Sequence, residues 1–325
     1  MTTARSGDSI SLSALHPGTY QPHFAHSDNR IWRETNCYAD LWIEVLHALG
    51  HDPVPSFVSA LSADHDGEQW TFLKMEQTDL RILYGLEVTE DTLWRPVLDT
   101  VESGPRRSLF HTVEVDSWWL PDTIGTDYHS AHVKTTIVPA AVDRDNRSLV
   151  YFHNAGLFEL SGDDFTGVFG LDLIDGETLP PYVEQVRSFA DRAQPDAVLT
   201  SVREHLSRRA AGDPMERLAR SIDEAVVWLP EYGLETFHQW AFATLRQCGA
   251  SAELAADLSA YLGAGPAPGA DAARVPFLEV AETAKSVQFK LARAARGRKV
   301  DVEESLQKMS ASWAQAMDIV AAAVE

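Results

Sequence analysis

Residues 132–154, "HVKTTIVPAAVDRDNRSLVYFHN", read as two β-strands around a polar turn, "DRDN". Each strand is rich in β-branched and aromatic residues, and the cluster between them is a turn signal. On the first strand His132, Lys134 and Thr136 share one face, while Val133, Thr135 and Ile137 share the other and read as core. A regular hairpin brings "YFHN" back so that Asn154 or His153 stands level with the start of the first strand. Further strand-like runs precede it: "WTFLKM" (70–75), "LRILYGL" (80–86) and "SLFHTVEV" (108–115). The helical signal in this half follows Cys37, where Leu41, Trp42, Val45, Leu46 and Leu49 recur at helical spacing and Gly50 supplies the stop.

Beyond "ETLPPY" (177–182) helical patterning takes over, at 182–193, 196–211, 214–229, 233–248, 251–262, 276–296 and 302–324. The stretch 263–276, "GAGPAPGADAARVP", reads as a flexible connector. The expected architecture is an α+β domain over 1–178 followed by an all-helical domain over 179–325.

The bulk properties exclude several classes. Of the 325 residues, 48 are acidic and 27 basic, a net charge of −21 that argues against nucleic acid as a partner. Two cysteines, Cys37 and Cys248, make neither a disulfide framework nor a thiolate zinc site. No apolar span suggests a membrane segment and "MTTARSGDSISLSALHPG" has no signal-peptide core, so a cytoplasmic location is expected.

Cys37 opens its helix, where the macrodipole and free backbone N–H groups favour a thiolate and can hold an oxyanion. The competing reading is a small buried hydrophobe, which is how Cys248 reads. A nucleophilic cysteine needs a base and an orienting group. His132 and His129 are the candidate bases, and Asn154 can fix the imidazole tautomer, which gives Cys37, His132 and Asn154 as a triad. His129, His132, Asp127 and His111 have metal-ligand chemistry, but i and i+3 on a strand face opposite ways and there is no HExxH helix, so no metal is expected. "DSWWLP" (116–121) reads as core or cleft wall. "AKSVQFKLARAARGRK" (284–299) concentrates Lys285, Lys290, Arg293, Arg296, Arg298 and Lys299, either as a solvated face or as a dock for an acidic or phosphate-bearing partner.

A cysteine opening a helix, "VDSWWLPDTIGTDYHSAH" (115–132) and a strand pair ending in Asn together resemble the papain-like, C39-peptidase-like domain of the butirosin biosynthesis protein H group. The helical domain matches that layout too. Closer still, "ETNCYADLWIE" (34–44) and 284–299 resemble a bacterial domain-of-unknown-function family of the DUF1839 type. The first resemblance implies a papain-like acyltransferase. It would move an acyl or aminoacyl group from a phosphopantetheine thioester on a carrier protein to an amine acceptor. No cofactor of its own is implied. Cys37 would be acylated, His132 would be the base and Asn154 its orienter. Asn36 or the Cys37 N–H would hold the oxyanion, with His129 nearby. Trp118, Trp119 and Tyr128 would exclude water, and Lys285, Lys290, Arg293 and Arg296 would dock the carrier protein. Hydrolysis on the same triad, as in a thioesterase or amidase, is the nearest alternative. A non-catalytic carrier-protein-binding module is the alternative of another class.

Overall fold

The computed structural model describes residues 12–171, 180–189 and 197–325. The chain divides into two units. Met1–His26, Cys37–Pro53 and Glu76–Ala193 form one, and Ser27–Asn36, Val54–Met75 and Gln194–Glu325 form the other. The architecture is α+β: a six-stranded antiparallel sheet belongs to the first unit, and the second is helical.

In the sheet unit the strands are β1 (Leu86–Glu90), β2 (Leu109–Asp116), β3 (Lys134–Asp143), β4 (Ser148–His153), β5 (Gly156–Ser161) and β6 (Val183–Ser188). Their spatial order is β1-β6-β2-β3-β4-β5, every neighbouring pair antiparallel. One core gathers Val113, Val115, Ile137, Leu149 and Tyr151 with Leu120 and with Phe165 of a short helix, Asp163–Phe169. Gly167 of that helix lies against the Trp119 indole, where a Cβ would fall 2.1 Å from Cδ2. Gly167→Ala is therefore expected to lower stability by about 1–3 kcal/mol, read from urea unfolding followed by tryptophan fluorescence.

Helix α1 (Cys37–Ala48) packs on β3 and β4. Residues 39–46 are all buried, so this is a central helix with apolar groups on every side. Full burial of Leu41, Trp42, Val45 and Leu46 stabilises it by roughly 1.5–3 kcal/mol each. Gly50 at φ +78° ends the helix, with the His51 N–H donating to Leu46 O. The two carboxylates buried with it, Asp40 and Glu44, lie one turn apart and need partners. Glu44 accepts from the Tyr20 hydroxyl at 2.5 Å and the His23 N–H at 3.0 Å, and pairs with His26 Nδ1. His26 Nε2 stands 3.3 Å from Asp40. Burial opposes a charge on His26, but Asp40 and Glu44 outweigh it and hold its pKa up at about 9. A buried imidazolium thus ties the chain before α1 to the helix that carries Cys37.

The helical unit comprises Ala197–Ser207, Pro214–Ala241, Gln247–Ala264, Arg274–Ala294 and Glu303–Val324. The Gln247–Ala264 helix is its centre. Cys248 is fully buried there, as a structural cysteine. Gly249 on that helix meets the Trp32 indole, and the carboxylate of Glu253 accepts from the Ile31 and Trp32 N–H groups. No helix among the described residues is long and apolar enough to cross a membrane.

Four sequence expectations are corrected. "LRILYGL" is helical up to Tyr84 and turns into β1 only after Gly85, which is left-handed. "WTFLKM" forms only an isolated bridge, His65 to Trp70, and belongs to the helical unit. The expected helix at 182–193 contains strand β6 instead, which belongs to the sheet unit. Residues 27–36 and 54–75 also go with the helices. The connector 263–276 is packed, with Ala267, Ala270 and Ala273 buried.

Candidate active site

Cys37 is the first residue of α1 and is half-buried. Burial raises its thiol pKa above the ordinary value. The Thr135 hydroxyl, the Thr136 backbone and Lys134 pull it down, and the charge of Asp40 adds to the rise. The net direction is upward, against the expectation that the helix terminus lowers it. The resting group is therefore a thiol, and attack requires a base.

Thr135 of β3, whose hydroxyl pulls the Cys37 thiol pKa down, belongs to a polar chain that holds a histidine. Its Oγ1 lies 2.7 Å from His153 Nε2 on β4, and His153 Nδ1 lies 2.6 Å from Asp122 Oδ2. The other Asp122 oxygen accepts from the Tyr151 hydroxyl at 2.5 Å. Burial and the Asp122 charge push the Tyr151 pKa upward, so the phenol stays a donor. Thr135, Tyr151 and His153 are all at most 5% exposed. Tyr151 and His153 share a face because they are two apart on a strand. Asp122 is presented by a 3-10 turn, Pro121–Thr123, that follows the fully buried Leu120. With Asp122 accepting the Nδ1–H, His153 Nε2 is an acceptor. The Thr135 hydroxyl can then donate to it.

The expected triad is not assembled as such. His132 Nδ1 bonds Asp116 at 2.6 Å, its ring stacks on Trp118 at 4.5 Å, and its side chain is 70% exposed. No hydrogen bond joins it to Cys37 or Asn154 among the described residues. Asn154 sits in the two-residue turn between β4 and β5 at φ +44°, a conformation that Asn tolerates. His153, one residue earlier, faces Thr135 instead; a single-residue step on a strand reverses the face. His129, at φ +51°, stacks on Tyr128 at 4.1 Å and lies 3.3 Å from Asp164, which also accepts from the Tyr128 hydroxyl. Trp118, Trp119 and Tyr128 thus surround the two histidines.

The Asn36 side chain is engaged elsewhere. Its Nδ2 gives one hydrogen to Leu73 O at 3.0 Å and the other to Gln247 Oε1 at 2.9 Å. Lys285 is also engaged, by Ile31 O and the Trp32 ring, and Lys290 bonds Ser305 at 3.1 Å. Arg293 and Arg296 are exposed and carry no ion pair among the described residues; Phe289, on the same helix, is 65% exposed. Sequence reasoning took Thr135 for core and assigned no role to Asp122 or Tyr151. The "HNAG" turn (153–156) was the available signal, since Asn in a tight turn leaves His153 as the last strand residue.

The family model described as the DUF1839 N-terminal domain matches residues 21–188, and that described as the DUF1839 C-terminal domain matches 191–322. The chain belongs to the DUF1839 family. A search of curated proteins gives no match.

Proposed function

We propose that the chain is a cytoplasmic cysteine acyltransferase with a papain-like first domain. It takes an acyl or aminoacyl group from the phosphopantetheine thioester of a carrier protein and gives it to an amine. The observations that carry this reading are a thiol at a helix start and a Thr135–His153–Asp122 chain whose threonine and histidine stand on the strands that this helix packs against. In the first half-reaction the Cys37 proton passes to Thr135 as the Thr135 proton passes to His153 Nε2. The sulfur attacks the thioester carbonyl, and the tetrahedral intermediate collapses with loss of the pantetheine thiol, which recovers the proton. The acyl group is left on Cys37. In the second half-reaction an amine attacks, its proton leaves through the same chain, and Cys37 is released as a thiol. Asp122 holds the tautomer and stabilises the imidazolium. The Cys37 backbone N–H at the helix start supplies an oxyanion contact.

His132 and Asn154 take no part in this scheme; the pairing of His132 with Asp116 favours His153 as the base. The test is product analysis with S-acyl pantetheine, with and without an amine. Amide formation supports transfer. Free acid alone with amine present identifies a thioesterase, and no Cys37-dependent product identifies a binding module.

Phe289, Arg293 and Arg296 would form the carrier-protein dock, an apolar contact beside two unneutralised cations. Arg293→Glu/Arg296→Glu is expected to weaken transfer from an acidic carrier protein about tenfold or more, while transfer from free acyl pantetheine is unchanged. Equal loss with both donors would remove the dock.

A further inference from the structure

A second site lies in the sheet unit, where β2 and β3 part. They pair only between Val113–Asp116 and Lys134–Ile137. Before Val113, β2 pairs with β6, and beyond Ile137, β3 pairs with β4. Pro139, which has no N–H to offer β2, stands at a register shift between residues 139 and 141. Between the parting ends is a cavity of about 480 Å³, lined by residues 109–111 of β2 and 139–142 of β3 together with Val101, Glu102 and Arg106. Its size falls within the range of small-molecule sites.

His111 is in this wall. It is 1% exposed, and neither ring nitrogen has a hydrogen-bond partner among the described residues. The Gly104 backbone packs on the ring, where a Cβ would fall 2.8 Å from Cε1. A buried, unpartnered imidazole in a cavity wall calls for a ligand atom. Burial keeps the ring neutral, its pKa pushed down to about 4, so it has one N–H to donate.

The charges around it favour an anion. Arg106 lines the cavity with no ion pair among the described residues. Arg95 and Arg107 both bond Ser103, and both lie close enough to act on His111. Asp91 stands 3.7 Å from His111 Nε2, whereas Glu102 and Asp99 are tied to Arg144. Phe110, Ala140 and Val142 supply an apolar wall.

We propose that this cavity binds a small apolar carboxylic acid, its hydrocarbon or aryl body against Phe110, Ala140 and Val142, its carboxylate between the His111 N–H and the Arg106 guanidinium. The site is separate from Cys37 and does not depend on the acyltransferase reading.

Calorimetric titration of the full chain with octanoate, octan-1-ol and octylamine tests it. Octanoate is expected to bind about tenfold or more tightly than either analogue. Arg106→Gln, an exposed substitution that leaves the core untouched, should weaken octanoate about tenfold, and His111→Phe at least as much. Cys37→Ala should bind as the original does. Absence of octanoate binding, binding unchanged in Arg106→Gln, or loss of binding in Cys37→Ala would each overturn the proposal.

Discussion

Thr135→Val should slow acylation of Cys37 by about 10²–10⁴-fold while the protein remains folded, because it removes one hydroxyl and keeps the shape. Thr135 bears on the Cys37 thiol and bonds His153, so in the proposed scheme the valine leaves the thiol without a route to its base. Thr135→Ser restores a hydroxyl and should recover most of the rate. Asp122→Asn, which offers His153 Nδ1 a donor or a weaker acceptor, should cost a comparable factor by favouring the wrong tautomer. A purely structural role for this network predicts something else: lower stability with an unaltered pH profile of Cys37 alkylation. Single-turnover acylation and the alkylation profile of each variant separate the two.

The second large effect concerns stability. Glu44→Gln is expected to destabilise the sheet unit by about 3–5 kcal/mol, since it removes the buried carboxylate that His26, Tyr20 and the His23 N–H share and leaves the imidazolium with Asp40 but without Glu44. The pH dependence has a definite sign. The folded pKa of His26, about 9, lies above the ordinary 6.5. The stabilisation is therefore complete below about 6.5 and is lost as pH rises through about 9, to an extent of roughly 3 kcal/mol. Hydrogen exchange of the α1 amides, compared at pH 6 and pH 9.5 after correction for intrinsic rates, should show weaker protection at the higher pH. In Glu44→Gln that difference should shrink. Protection that is flat or rises with pH would contradict a charged His26.

The hairpin was legible because β-branched and aromatic residues flank a polar turn, and the strands pair over Val138–Asp143 and Ser148–Phe152; its faces were not, since Val133 is exposed and Thr136 buried. Strand β6 was not: Val183 and Val186 are three apart, as on a helix face, and the intervening Glu184 looks solvent-facing. In the structure Glu184 is buried and accepts from Thr112 at 2.8 Å and from the Tyr38 hydroxyl at 3.3 Å, partners distant in sequence. "LRILYGL" failed for the converse reason, since Leu80 and Leu83 are equally consistent with a short helix that Gly85 ends. At the candidate site, the place of Cys37 at a helix start was readable from local signals. Its pKa was not, because burial and Asp40 outweigh the downward pull of Thr135, Thr136 and Lys134. The sequence reading took His132 as the base and Asn154 as its orienter, and gave His153 no role beyond an alternative to Asn154. Strand alternation alone does not say where β4 ends, and Asn154 took the turn while His153 kept the face toward Thr135.

The central claim is that Cys37 is a nucleophile that carries an acyl group. Intact-mass spectrometry after incubation with acyl-loaded carrier proteins, comparing the original chain with Cys37→Ala, measures it most directly. A mass gain equal to the acyl group, present in the original and absent in Cys37→Ala, is the expected result. No gain with any acyl donor, or an equal gain in Cys37→Ala, would contradict it.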